Sequence, residues 1–409
     1  MTTITADVAV APRRSFQEVW VISLGHALTH WYPATFYLLL PLIGKELGLS
    51  YSEIGAVLTC QYFAGAIANI PGGIFVDTVG RKGLLMAASL FWIGFPYLIM
   101  GFSHAYWMIL ACATLVGIGN NLWHPSAIPW LANRFPQRKG LVMSIHGMGG
   151  NVGDAVAPLV AGALLGFMSW RDVVVINVVP GVLIAAFALI YLGRRQNGED
   201  AVSADAAPKI SAAERVRMFG ALLKNRALIT LAAGSAFRTM TQGALLTFLP
   251  LYLARQMGDP PLWIGACMFA LQAGGFIAAP IAGHLSDRVG RRQIILSSMA
   301  MSAIVIFLML FAGGTGWFVM FVSVLGFFLF AVRAVLQAWL LDATPPAMGG
   351  SAIGLLFASQ AFGQAVGPVS AGIVADHYGL MSAFYFLAGT IVVANFLVFV
   401  TPAGLMKRD

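Results

Sequence analysis

Two decapeptides decide how this chain is read: GIFVDTVGRK at residues 73–82 and GHLSDRVGRR at residues 283–292. The step from Gly73 to Gly283 is 210 residues, and the same step carries GDAVAPLVAG at residues 153–162 onto GQAVGPVSAG at residues 363–372, and Gly55 onto Gly265. A constant displacement over most of the chain means that the second half copies the first in the same orientation. Outward from these anchors, apolar stretches of roughly 20 residues follow one another, each long enough to cross about 30 Å of hydrocarbon. Twelve are read, from residues 18–43 to residues 381–400, six in each copy. Composition agrees: the chain is 59% hydrophobic and 10% charged, against about 45–50% and about 25% for soluble domains. The expected fold is an all-α membrane protein with twelve transmembrane helices in two six-helix pseudo-symmetric halves. Residues 1–193 form the N-terminal half, 194–225 a cytoplasmic linker and 226–409 the C-terminal half.

An even number of spans puts both termini on one side, and loop Lys and Arg decide which, because cationic loops resist translocation. Nineteen lie on the side of the termini against three, Lys45, Arg171 and Arg255, on the other. Both termini are therefore expected in the cytoplasm, with the chain as a multi-pass protein of a bacterial inner membrane. The net charge of +8 is then topological charge facing anionic lipid, and no nucleic-acid partner is implied. Cys60, Cys112 and Cys267 fall inside spans without CxxC spacing, which predicts neither a disulfide framework nor a zinc site. Trp107, Trp170, Trp263 and Trp317 are expected at the outer interface.

The paired signature, Gly73, Asp77, Gly80, Arg81 and Lys82 with Gly283, Asp287, Gly290, Arg291 and Arg292, resembles that of the major facilitator superfamily after its second and eighth helices. Within it, residues 25–43, WHPSA at residues 123–127 and residues 140–153 are similar to the fosmidomycin-resistance type of exporter. The resemblance covers nearly the whole chain and implies a rocker-switch transporter with a central site lined by spans one, four, seven and ten. Physically, glycine permits the short turn, and the Asp and Arg of each copy can contact neighbouring helix ends as a conformational latch. One departure stands out: where many proton antiporters of the superfamily carry an Arg before a G-x-G pattern in the fourth span, Ala113 precedes Gly117 and Gly119.

Ionisable groups at bilayer depth cost at least about 2.5–3.5 kcal/mol, so each is a functional candidate. Asp154 lies midway along the fifth span, Arg238 midway along the seventh and Arg333 in the inner half of the tenth. None has a like residue in the other half. His26 and His30 share one face of the first span, and His124 and His146 reach similar depth. Imidazole and a desolvated carboxylate can exchange protons near neutral pH, which is the chemistry of proton coupling; hydrogen-bonded core histidines are the alternative. The arginines either attract a small anion through the guanidinium fork or pair with Asp154 to close a cytoplasmic gate. Asn120, Asn121, Gln242, Gln272 and Gln337 add neutral hydrogen bonds.

The expected function is secondary active transport, in the form of proton-coupled export of a small polar or anionic organic compound by a monomer that needs no cofactor. A nutrient or metal-ion importer of the same fold is the alternative. A resident metal is not expected, because arginines at similar depth repel cations. The absence of a P-loop, a Ser-His-Asp set or an HExxH helix argues against an enzyme.

Overall fold

A computed structural model describes residues 16–120, 122–196, 220, 224–312, 317–344 and 349–402, and among them it contains helices and no strand. The chain runs through α1 (Gln17–Glu46), α2 (Tyr51–Val79), α3 (Lys82–Gly101), α4 (Tyr106–Asn120), α5 (Trp123–Arg134), α6 (Lys139–Leu164) and α7 (Trp170–Gln196). It continues through α8 (Arg226–Tyr252), α9 (Pro261–Val289), α10 (Arg291–Phe311), α11 (Trp317–Asp342), α12 (Gly349–Tyr378) and α13 (Met381–Phe399). Asn121, most of the linker and both terminal tails lie outside the described residues, as does the side chain of Asp77.

Among the described residues the twelve spans thus appear as thirteen α-helices, because the fourth, read as continuous over residues 106–130, is interrupted by a turn at Leu122 between α4 and α5. Pro125 explains the break: it has no N–H to donate to the carbonyl four residues back, and its ring crowds the preceding turn. The Leu122 amide reaches Gly119 O at 3.2 Å instead, a tighter turn. Seven described helices, α3, α7 and α9 through α13, are by themselves long and apolar enough to cross a membrane. Those that fall short include α1, α6 and α8, which carry His26, His30, His146, Asp154 and Arg238.

The repeat is visible in the packing. In the first half α1 packs on α6, α3 on α7 and α2 on α4; in the second, α8 packs on α12, α10 on α13 and α9 on α11. The halves meet where α2 crosses α12 and, in the symmetric counterpart, where α6 crosses α9. Glycine makes both crossings possible. A Cβ at Gly55 would stand 2.4 Å from Pro368 O, and one at Gly265 would stand 2.3 Å from Pro158 O, each a backbone atom of the facing half.

The two ends of the bundle differ. At the far end, away from the start of α1 and the finish of α13, one apolar core joins both halves, with Tyr37, Leu38 and Ile109 of one and Leu249, Phe318 and Phe384 of the other. At the terminal end the first half keeps a separate core around Val19, Trp123, Trp130 and Val142. The far end is further tied by Asp376 of α12, whose carboxylate accepts from the Tyr51 and Ser52 amides at 2.7 and 2.9 Å. That places an anion at the N-terminus of α2, where the helix dipole favours it. Arg255 lies over the Tyr51 ring at 5.2 Å. Within the first half, Glu46 accepts from Trp170 Nε1 at 2.6 Å and pairs with Arg171 at the same distance, and the Arg171 hydrogen bond holds its carboxyl below the usual range. Trp170 is consequently buried, unlike Trp107, Trp263 and Trp317, which are exposed as expected of interfacial residues.

At the terminal end the signature turns take the glycine-specific backbone: Gly80 closes α2 at φ +67° and Gly290 separates α9 from α10 at φ +109°. Gly73 and Gly283 lie inside helices with no atom within 4 Å of where a Cβ would stand, so nothing in this conformation explains them. Arg291 bridges Asp287 at 2.9 Å and Asp342 at 2.5 Å, tying the α9–α10 turn to the end of α11, and the Asp342 carboxylate raises its pKa. Arg292 donates to the Phe399 carbonyl at the end of α13. Arg81 and Lys82 open α3.

Candidate functional site

Two glycines let α6 lie directly on α1. A Cβ at Gly149 would sit 2.2 Å from Ser23 O, and one at Gly153 would sit 2.1 Å from Ala27 O. At this separation, residues four apart on one helix face residues four apart on the other. His26 therefore stands opposite His146 and His30 opposite Asp154, with Gly150 between them: a Cβ there would meet the His26 ring at 2.8 Å and the His30 ring at 3.1 Å.

Each pairing makes a contact. His30 Nδ1 and Asp154 Oδ2 are 2.9 Å apart, and both side chains remain about one-third exposed (31% and 28%), open to exchange with water. His26 Nδ1 lies 2.6 Å from His146 O; a carbonyl can only accept, so Nδ1 carries the hydrogen and Nε2 is the ring's other nitrogen. The His26 and His146 rings stack at 4.0 Å. His26 and His146 are both buried, and neither ring nitrogen of His146 has a hydrogen-bond partner.

The break in the fourth span brings the third histidine. Trp123, fully buried, packs into the space left by Gly25, where a Cβ would clash at 2.2 Å. The next residue, His124, is thereby set with Nε2 3.0 Å from His26 Nε2. The ligating nitrogens of His26, His124 and His146 all lie within 4.8 Å of one another.

The second half contributes the cations. Arg238 of α8 is buried, donating from Nη1 to Gln242 Oε1 at 3.1 Å and Leu329 O at 3.3 Å, while its Nε has no partner. Arg333 of α11 is exposed and lies within electrostatic range of both Arg238 and, across the divide, His124. Neither arginine pairs with Asp154 in this conformation: the α1–α6 approach gives the carboxylate to His30. Gln364, which occupies the place of Asp154 in the repeat, shares a hydrogen bond with the Tyr62 hydroxyl, and Tyr62 lies within electrostatic range of Asp154. Asn120 Oδ1 is buried without a partner.

Two residues escaped the sequence reading. Tyr62 is neutral and gives no charge signal. Glu18, at the margin of the first span, is buried with its carboxylate accepting from Trp130 Nε1 at 3.1 Å and Arg134 at 3.2 Å.

The model of the Major Facilitator Superfamily matches residues 22–276 and 231–408. The chain is 24% identical to the Phosphoglycerate transporter protein of Salmonella typhimurium, across 97% of this chain and 91% of the relative. It is also 24% identical to the Fosmidomycin resistance protein of Escherichia coli, across 89% of this chain and 88% of the relative. A crystal structure of a bacterial homologue of the human lysosomal transporter Spinster, inward-facing and unoccupied, superposes with a TM-score of 0.77 at 16% identity, covering 95% of this chain and 96% of the other.

Proposed function

Because the chain belongs to the Major Facilitator Superfamily, we propose that it exports a small polar or anionic organic compound in exchange for protons, by alternating access between two halves. The halves are residues 1–193 and 226–409, and residues 194–225 join them as a cytoplasmic linker. Both termini lie in the cytoplasm of a bacterial inner membrane, so the conformation closed at its far end is the one open to the cell interior. The chain works as a monomer.

The observation that carries this reading is the His30–Asp154 pair at 2.9 Å, about one-third exposed and, among the described residues, bound to no arginine. A carboxylate held by imidazole takes up a proton with little rearrangement, and its protonation releases His30. Arg333, exposed across the divide from His124, receives the anionic group of the substrate, while Arg238 and Gln242 hold positive potential behind it. The relative named for phosphoglycerate, an organic anion, supports the substrate class. The Asp287–Arg291–Asp342 bridge latches α9 to α11 while the far end is closed.

Everted membrane vesicles test direction and coupling together. With an imposed inward-acid gradient, radiolabelled small organic anions from a panel of phosphate esters, phosphonates and carboxylates are screened for uptake. At least one is expected to accumulate in vesicles bearing the chain and to leave when a protonophore is added. Accumulation that survives the protonophore, or uptake only into right-side-out cells, would contradict the proposal.

A further inference from the structure

We propose that His26, His124 and His146 bind one divalent transition-metal ion of the zinc, nickel or cobalt class. The site goes beyond the transport reading and does not rest on it. Imidazole nitrogen is the ligand these ions favour, at about 2.0–2.1 Å. Two nitrogens on one tetrahedral ion then stand roughly 3.4 Å apart, close to the 3.0 Å between His26 Nε2 and His124 Nε2. The third ligand comes from His146, whose nitrogens lie within 4.8 Å of the other two.

Two further features point to a ligand. Metal-binding histidines usually donate their second N–H to a carbonyl, which fixes the ring and aims the other nitrogen; His26 does so, with Nδ1 2.6 Å from His146 O. His146 is 4% exposed with both ring nitrogens unpartnered. A buried polar group without a partner costs about 1–3 kcal/mol, which an ion would relieve.

The charges around the site divide. Arg333 lies within electrostatic range of His124 and opposes a cation. Asp154 offsets it from the other side through His30, whose ring is 4.7 Å from that of His26. All three ligands belong to the first half, so the ion needs no closure of the two halves to bind. It is held as a resident ion that fixes α5 against α1 and α6 across the break in the fourth span, and not as cargo shared between the halves.

The test uses the full chain in detergent, carrying no polyhistidine tag and stripped with EDTA. Titration with Co²⁺ at pH 7.5 is expected to give a visible d–d band that saturates at one ion per chain and is displaced by Zn²⁺. His26→Gln and His146→Gln are each expected to weaken binding at least about 10-fold, as is His124→Gln, which alters a less buried position should the others unfold. His377→Gln, on an exposed histidine remote in sequence from the cluster, is expected to bind as the wild type does. Zn²⁺ is expected to raise the melting temperature of the wild type and not that of the His26→Gln/His124→Gln double variant. A titration without a saturating band, or binding unchanged in all three cluster variants, would overturn the site.

Discussion

Arg238→Met is expected to make the protein more stable and at the same time nearly inactive towards an anionic substrate. The guanidinium is buried, no carboxylate pairs with it among the described residues, and its Nε lacks a partner. Its two acceptors, Gln242 Oε1 and Leu329 O, are neutral and longer than 3 Å. Such an arrangement does not recover the cost of desolvating a cation, and replacing buried charges by apolar side chains of similar volume often gains about 1–4 kcal/mol. A scaffold arginine would behave in the opposite way. The melting temperature in detergent should rise, while anion transport falls about 10–100-fold as the positive potential that Arg238 holds behind Arg333 is lost. Arg238→Lys, which keeps the charge but not the fork, should retain part of the transport. Loss of stability in Arg238→Met with transport intact would make the residue a packing element.

A second large effect is expected where the halves cross. Gly55→Val and Gly265→Val each insert atoms where backbone oxygens of the facing half already stand, 2.4 and 2.3 Å from the first added carbon. A backbone oxygen cannot rotate away as a side chain does, so α2 must separate from α12, and α6 from α9. Forcing extra carbons into a packed interface costs about 1–3 kcal/mol, and both costs fall on the conformation closed at the far end. The combined variant should shift the population toward the state open there. Spin labels at Phe167 and Tyr378, both exposed at the far end and one in each half, should show a longer-distance population than labels on the native background. An unchanged distance distribution would mean that the crossings do not control the gate.

The fold was legible because it is written twice. The shared step of 210 residues from Gly73 to Gly283 and from Gly153 to Gly363 fixed the repeat, and Gly55 and Gly265, noticed only as register marks, turn out to hold the halves together. The break in the fourth span was signalled by the polar run Asn120, Asn121, His124 and Pro125, but the apolar residues on either side read as one span, and Pro125 is tolerated in the first turn of a new helix. Depth along the spans brought His26, His30, His124 and His146 to one level, with Asp154 midway along its span. What sequence cannot supply is azimuth between helices. The approach of α6 to α1 at Gly149 and Gly153 decides that Asp154 meets His30 and not Arg238 or Arg333. It also stacks His146 on His26, from which the three-histidine cluster follows once Trp123 seats against Gly25.

The central claim is that Asp154, held by His30, carries the coupled proton. The direct measurement is proton flux in proteoliposomes loaded with an internal pH dye, comparing wild type with Asp154→Asn while a transported organic anion is added outside. The account predicts a substrate-dependent pH change in the wild type that Asp154→Asn abolishes, with anion exchange across a pH-clamped membrane persisting in the variant. Equal substrate-driven proton flux in both proteins, or substrate movement without protons in either, would contradict it.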